Sequence, residues 1–398
     1  MRYPPAMRLA ALLLLIAATT AHSEAQWEIE DSHTTASLRG IYNVGGGVVW
    51  ASGTGGTVLR TTDDGKTWQT CPIPLAGTKD TAEKLDFRGI QAFDEKTAIV
   101  MSSGPGDLSR LYKTTDGCQT WKLLFTNPDK DGFWDAIFFD GREIGWLLGD
   151  PTEGSFTLFE TFDSGVHWFK QHNLALRAQS DTQGAFAASN SSLYEKNGLV
   201  VFGTGGKLGA FAYLQSKAVM CLDYCSPSDP NFNGTNNTWV RPVLPVGQKT
   251  DTSGVFSIGA QSSVVNGPLG AHKLVAVGGD YKQPDSNEAI SASSLDGGKT
   301  WKPAKTPPHG YRSAVAYDSA TKTWITVGPN GTDISTDDGR NWRALVPTPL
   351  DEKDADKNWN ALSLPFVVGP KGRIGKLRPT AILPTVLPPT TGSKVAKP

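Results

Sequence analysis

Charge of either sign is never in excess: Lys and Arg number 38 against 39 Asp and Glu, a formal net charge of −1. A chain so balanced has no global field to draw nucleic acid or an anionic membrane, so any electrostatic preference must be local. Histidines number six and are scattered, and the four cysteines form neither a CxxC pair nor a Cys/His cluster, which argues against a structural zinc site. No metal and no cofactor is expected. Two kinds of glycine-rich stretch fail as phosphate cradles. Gly65-Lys66-Thr67 and Gly298-Lys299-Thr300 lack the upstream glycine of a P-loop, and the GTGG runs at Gly53 and Gly203 lack the third glycine of a dinucleotide fingerprint.

Long apolar runs are absent except for Leu9–Ala21, which follows Arg2 and Arg8 and precedes Ser23-Glu24-Ala25. The run is too short for a stable membrane anchor, and a basic head, apolar middle and small-x-small end read as a signal peptide over 1–25. The mature chain then begins near Gln26 and is expected to be periplasmic or secreted, a monomer without stable membrane insertion. No cysteine precedes Cys71, so no lipid anchor is expected. An even cysteine count suits an oxidising compartment. Cys221 and Cys225 are close enough to staple a local loop, leaving Cys71 and Cys118 as the other pair, though spacing alone leaves the pairing open.

With 43 Gly, 26 Pro and 38% hydrophobic residues, the composition is that of a loop-rich globular chain. It is organised by a repeated eight-residue pattern, Thr61–Trp68 (TTDDGKTW), Thr114–Trp121 (TTDGCQTW), Thr161–Trp168 (TFDSGVHW), Ser294–Trp301 (SLDGGKTW) and Ser335–Trp342 (STDDGRNW). Each copy carries Ser or Thr first, Asp third (Asp63, Asp116, Asp163, Asp296, Asp337) and Trp eighth (Trp68, Trp121, Trp168, Trp301, Trp342). An Asp carboxylate can accept from the N–H groups of its own turn, and the glycine at the fifth place of four copies supplies positive φ. The Trp leads into the next strand with a large apolar face to bury. The pattern resembles the Asp-box, or BNR repeat, of sialidase-like β-propellers, a turn that organises structure and does no chemistry.

Around these turns runs a longer repeat. First strands are expected at Arg39 (RGIYNV), Arg88 (RGIQAF), Trp134 (WDAIFF), Gly184 (GAFAAS), Gly254 (GVFSIG), Ser313 (SAVAYD) and Asn360 (NALSLP), each followed by a short apolar second strand ending near Gly. Seven copies over 26–376, about 50 residues each, suit an all-β, seven-bladed propeller. The seventh unit lacks a turn and a fourth strand, and Trp27-Glu28-Ile29-Glu30 reads as the missing strand, closing the ring and leaving no open sheet edge. The fourth unit lacks the turn too. An insert, Met220–Trp239, stands there, with Trp239 in the packing place of the turn tryptophan, and 377–398 reads as a Pro/Thr-rich tail. Sequons fall at Asn190, Asn233, Asn236 and Asn330.

If the turns lie on one face, the inner-strand starts and second-to-third loops lie on the other, around the channel. That mouth is expected to hold Arg39, Arg88, Asp135 and Arg312, with Asp107, Asp150, Glu153, Asp280, Tyr281 and Lys371 nearby. Three arginines suit an anionic partner group; alternatively each pairs with a neighbouring blade's carboxylate, such as Asp86 or Asp135. The turns, the seven-unit count and the closure together resemble the photosystem II stability/assembly factor-like family of BNR-type propellers over nearly the whole mature chain. The resemblance implies a non-enzymatic assembly factor that binds its partner through an arginine-bearing face, here Arg39, Arg88 and Arg312. The expected function is binding of a protein or glycan at that face, with no catalytic residue. The alternative is a sialidase-like glycoside hydrolase, for which Tyr281 or Tyr311 would be the tyrosine, but no Tyr/Glu pair and no Arg-Ile-Pro signature accompany them.

Overall fold

Short runs of Val, Ile, Leu and aromatic residues, cut by glycines and polar turns, cannot bury both faces of a sheet alone and must stack face to face. The computed structural model describes residues 25–73, 82–196, 198–216, 239–261 and 272–382. It contains seven antiparallel sheets arranged as the blades of a propeller. Their inner strands are Leu38–Gly45, Phe87–Ala92, Trp134–Asp140, Leu193–Lys196, Ser253–Gln261, Ala314–Asp318 and Ala361–Ser363, which open blades 1 to 7 in chain order. Second strands follow at Val48–Gly53, Ala98–Ser102, Ile144–Thr152, Leu199–Gly203, Lys273–Asp280, Thr323–Gly328 and Phe366–Val368. The third strands of blades 1 to 3 are Val58–Thr61, Arg110–Thr114 and Ser155–Thr161, and those of blades 4 to 7 are Ala210–Ser216, Ser291–Ser294, Gly331–Ser335 and Ile374–Leu377. Outer strands are short, from Gln69–Thr70 in blade 1 to Arg343–Ala344 in blade 6, and blade 4 has Trp239–Val240 with an extra pair, Val243–Leu244, on its third strand.

Blade 7 takes its outer strand from the other end of the chain. Trp27–Glu30 pairs with Ile374–Leu377, from Trp27 opposite Leu377 to Glu30 opposite Ile374. Trp27 is buried and stacks on Trp359 with ring centroids 5.8 Å apart. The ring thus reaches Leu377, one residue past the expected limit, and a 3-10 turn, Pro379–Ala381, follows. All but one residue of the expected leader, Cys221 and Cys225, Asn233 and Asn236, and the tail beyond Ile382 lie outside the described residues.

All five repeated turns have one geometry. The Asp63 carboxylate accepts from Thr67 N at 2.9 Å, Thr67 Oγ1 at 2.7 Å and Thr61 Oγ1 at 2.7 Å, while Thr61 Oγ1 accepts from Gly65 N at 3.1 Å. The seventh residue's N–H donates at 2.9 Å in the other four copies as well, from Thr120, His167, Thr300 and Asn341. Its side chain, Thr, His or Asn, donates a second bond to the same carboxylate, a regularity the eight-residue pattern did not reveal. The fourth place is left-handed too: Asp64, Ser164 and Asp338 have φ of 65°, 65° and 61°. Gly339 sits against the preceding blade, where a Cβ would stand 2.9 Å from Val275.

Cys71, after the outer strand of blade 1, is bonded to Cys118 in the turn of blade 2. Closing a loop of 47 residues removes unfolded-state entropy equivalent to about 4 kcal/mol. One expected strand is not one. Gly184–Ser189 lies ahead of blade 4, whose inner strand starts at Leu193, because the small residues and the left-handed Asn190 (φ 62°) offer no apolar alternation to a sheet. Trp239 does pack as expected, buried against Phe202 at 5.8 Å in a core shared with Trp146 and Leu158 of blade 3.

Removing the buried indole that clamps the closing strand is expected to be costly. Trp27→Ala should lower stability by about 3–5 kcal/mol in equilibrium guanidinium unfolding; an unchanged midpoint would mean that the ring does not depend on this strand.

Candidate functional site

Inner-strand pairing slips by one residue near its start in four blades, between Leu38 and Gly40, Phe87 and Gly89, Trp134 and Ala136, and Val255 and Ser257. The residues left unpaired are Arg39, Arg88, Asp135 and Phe256. A bulge re-aims the inserted side chain. The same place in the other blades, one residue before the partners of Phe202, Val327 and Val368, holds Ser192, Ser313 and Asn360. One position per blade therefore presents Arg, Arg, Asp, Ser, Phe, Ser and Asn around the axis.

Arg312 is not in that ring. Its N–H bonds to Gly278 O at 2.9 Å, as Leu38 N bonds to Gly369 O and Trp359 N to Gly328 O, so it holds the place of a buried apolar residue between blades. Its guanidinium is fully buried, with Nε donating to Asp333 Oδ2 at 3.0 Å and Nη1 to Asn330 Oδ1 at 2.6 Å. Asp333 also meets His309 Nδ1 at 2.5 Å. The expected three-arginine mouth is a pair of arginines plus one interior ion pair.

The pair shares a single carboxylate. Arg39 Nε stands 3.2 Å from Asp86 Oδ1 and Arg88 Nε 2.8 Å from Asp86 Oδ2. Arg88 Nη1 donates to Ala187 O at 3.1 Å. Arg39 belongs to blade 1 and Asp86 to the segment leading into blade 2, so the blade-tying reading of these arginines is present as well. Two guanidiniums on one carboxylate leave a net positive charge and N–H groups that Asp86 does not use. Burial lowers the Arg39 pKa, with Asp86 opposing.

Next to Arg88 lie two carboxylates in less favourable surroundings. Asp135 is 1% exposed and its Oδ2 meets no hydrogen-bond partner among the described residues. Burial first, then the charge of Asp150, raises its pKa well above the usual range, and Arg88 only partly offsets this. Asp150 is pushed up to about 6 by burial, against the bond its Oδ1 accepts from Ala185 N at 2.9 Å. Asp280 is buried, its carboxylate holding Thr250 Oγ1 and Thr252 Oγ1 at 2.7 Å and Lys282 N at 2.9 Å. Asp107 lies by Arg110, at 3.6 Å. Glu153 is exposed in the hairpin turn after Ile144–Thr152.

The displaced segment Gly184–Ser191 crosses the channel. Ala187 O meets blade 2 through Arg88, Phe186 stacks on Phe256 of blade 5 at 4.1 Å, and Ser189 Oγ donates to Ser313 O of blade 6 at 2.8 Å. Asn190 accepts from Ile137 N at 2.8 Å and donates to Ile90 O at 3.2 Å, so the amide of that sequon is spent on blades 3 and 2. Beside this plug Phe256 meets Tyr311 edge to face at 4.9 Å and Tyr281 at 6.1 Å. Tyr281 is 48% exposed, whereas burial pushes the Tyr311 hydroxyl well above its usual pKa range. The mouth is thus charged on the side of blades 1 to 3 and aromatic on that of blades 5 and 6. Phe256, Asp86 as a shared partner and the plug were not expected at the site; only the run Ser189-Asn190-Ser191-Ser192, too polar for an inner strand, signals the plug in the sequence. Among the described residues no three His, Cys, Asp or Glu side chains are placed to hold a metal, and no helix is long and apolar enough to cross a membrane.

No protein-family model matches the chain, and no curated protein sequence matches it. Its structure is similar to that of YCF48 bound to D1 peptide, at 16% identity and TM-score 0.57 over 88% of this chain and 96% of that one. YCF48 from Cyanidioschyzon merolae gives 16% identity and TM-score 0.53, covering 89% and 100%. The chain has the propeller fold of YCF48. U3-55K gives 13% identity and TM-score 0.53 over 88% and 98%, so a likeness of this degree to YCF48 is one of fold and leaves the site to be argued from its own residues.

Two variants separate the roles of these charges. Arg312→Ala strands Asp333 in the interior and should destabilise by about 3–5 kcal/mol in denaturant unfolding, without the pH dependence of the mouth. Asp135 and Asp150 have folded pKa values above their unfolded ones, so their contribution is most favourable below about pH 4. It is lost as pH rises to about 6 for Asp150, and over a wider range for Asp135. Asp135→Asn should therefore raise Tm at pH 8 by a few degrees and flatten Tm against pH from 4 to 8; a profile parallel to that of the parent would show that Asp135 is not held protonated.

Proposed function

We propose that the protein is an exported, non-enzymatic propeller that binds a protein or glycan partner at the mouth opposite the repeated turns, in the manner of an assembly factor. On this reading the turns are the Asp-boxes of a BNR-type propeller and serve the fold alone. The observation that carries the proposal is the pair Arg39 and Arg88 sharing Asp86, which leaves positive charge in excess of that carboxylate and guanidinium N–H groups that Asp86 does not take up. A carboxylate or sulfate of the partner is the complement of such a fork. The similar structure of YCF48 was obtained with a peptide bound, which supports a protein partner for this fold.

The alternative, a glycoside hydrolase, needs two carboxylates that both reach the substrate. Asp135 is shut in behind the plug and Asp150 is bonded to it, an arrangement that favours the binding reading. Titration calorimetry with acidic peptides and acidic oligosaccharides should detect binding that weakens with salt. Arg39→Ala, which leaves the core untouched, should weaken it about tenfold or more. Equal affinity of parent and variant would sink the proposal, and turnover of any fluorogenic glycoside that Asp150→Asn abolishes would establish the hydrolase instead.

A further inference from the structure

The tryptophan that leads into each outer strand fixes a place three residues further on, beside the next blade. In blade 1 that place holds Cys71, bonded to Cys118, the fifth residue of the turn of blade 2. In blade 2 it holds Leu124, whose Cδ1 a Cβ on Gly165, the fifth residue of the turn of blade 3, would meet at 3.4 Å. At the ring closure, where blade 7 meets blade 1, it holds Glu30. A Cβ on Gly65, the fifth residue of the turn of blade 1, would strike both of its carboxylate oxygens. Gln171, Pro242, Ala304 and Leu345 hold the place in blades 3 to 6, so Glu30 is the one carboxylic acid among the seven. Three successive junctions are joined at this place by a carboxyl group, a disulfide and an apolar contact.

The turn that receives Glu30 is altered to match. Trp168, Trp301 and Trp342 each donate their indole N–H to the carbonyl of the fifth residue of their own turn, at 3.0, 2.9 and 3.0 Å. That of Trp121, in the turn with the disulfide, meets no partner among the described residues. Trp68 Nε1 instead donates across the junction, to Glu30 Oε2 at 2.9 Å. The closing strand has thus taken over a bond that three other turns make within themselves. Such a turn can be completed without its neighbour, so releasing Glu30 need not leave the indole stranded.

We propose that Glu30 is a proton-dependent latch on the ring: the neutral carboxyl seats the closing strand on the turn of blade 1, and its ionisation loosens that strand. The charged groups facing it are Glu28 on its own strand, Asp64 in the turn and Lys376 on the third strand of blade 7. The cleft it lines also holds Asp31, Asp354, Lys371 and Arg373. Arg373 is turned to Asp354, Nη2 donating to its carbonyl at 2.9 Å. Lys376 donates to the carboxylate and the carbonyl of Asp64, so an ionised Glu30 shares that ammonium with another acid. Burial above all raises the Glu30 pKa from its ordinary 4.5 to about 7, with Trp68 and Lys376 opposing and Glu28 and Asp64 adding. Since the folded value lies above the unfolded one, the contribution of Glu30 is full below about pH 4.5 and is lost as pH rises through about 7. The latch operates whatever the mouth binds.

Hydrogen exchange read by mass spectrometry on the intact protein tests it, each amide rate being divided by its intrinsic rate at the same pH. Between about pH 5.5 and 8.5 the protection of Trp27–Glu30 should fall at least about tenfold relative to that of Ala98–Ser102 in blade 2. Glu30→Gln still accepts from Trp68 and cannot ionise, so it should keep its protection across that range. Glu30→Leu, which copies Leu124, should do the same. A relative protection that stays level with pH in the parent would overturn the proposal, and so would a fall that Glu30→Gln or Glu30→Leu shares.

Discussion

Seven sheets can shield each other's faces only if the last meets the first, and here that meeting rests on four residue pairs, Trp27–Leu377 to Glu30–Ile374. The closing strand is held on both sides. Trp27 stacks on Trp359 within blade 7, and Glu30 accepts from Trp68 Nε1 of blade 1 at 2.9 Å. The cost of the second contact is visible in Glu30, whose pKa burial pushes up to about 7 against the pull of that indole and of Lys376. Every position around the channel depends on this seam, since an open ring would free the inner strands to splay and separate Arg39 in blade 1 from Tyr311 in blade 6.

Local and non-local forces are divided between the two faces. On the turn face each Asp is satisfied by its own loop, which lowers Asp63 and Asp116 to about 2 with the threonine hydroxyls as the largest cause. These carboxylates are saturated with donors and have little left for a partner. At the mouth the accounting reverses. Asp135 has an oxygen that meets no hydrogen-bond partner among the described residues, burial opposes the ionisation of Asp150, and Arg39 and Arg88 compete for one acceptor. Unspent hydrogen-bonding capacity in partly desolvated surroundings is where binding energy can be gained.

The repeat also acts as an internal control. Because seven blades share one register, a residue that departs from its equivalents stands out. Arg312 stands where Leu38 and Trp359 stand, Phe162 stands where Thr62, Thr115, Leu295 and Thr336 stand, and Phe169 where Gln69, Lys122, Lys302 and Arg343 stand. The first coincides with an interior ion pair with Asp333, the others with an exposed aromatic pair at the edge of blade 3.

The sequence by itself settled what depends on short-range physics. Five Asp-containing turns, the second strands of all seven blades, six of their seven inner strands and the orphan strand at Trp27 are readable because a hydrogen-bonded turn spans eight residues and strand alternation needs only its own run of side chains. It also led to the expectation of Arg39, Arg88, Asp135 and Arg312 at one mouth. Tertiary structure alone decided which residue of each inner strand faces the axis, since a one-residue slip turns a side chain to the other face and the bulges that set it arise from pairing with a distant strand. That is why Arg312 looked equivalent to Arg39 and was not. It also decided that Gly184–Ser191 leaves the sheet to cross the channel, because the groups that hold it, Arg88, Ile137, Phe256 and Ser313, come from four different blades and no local pattern announces them.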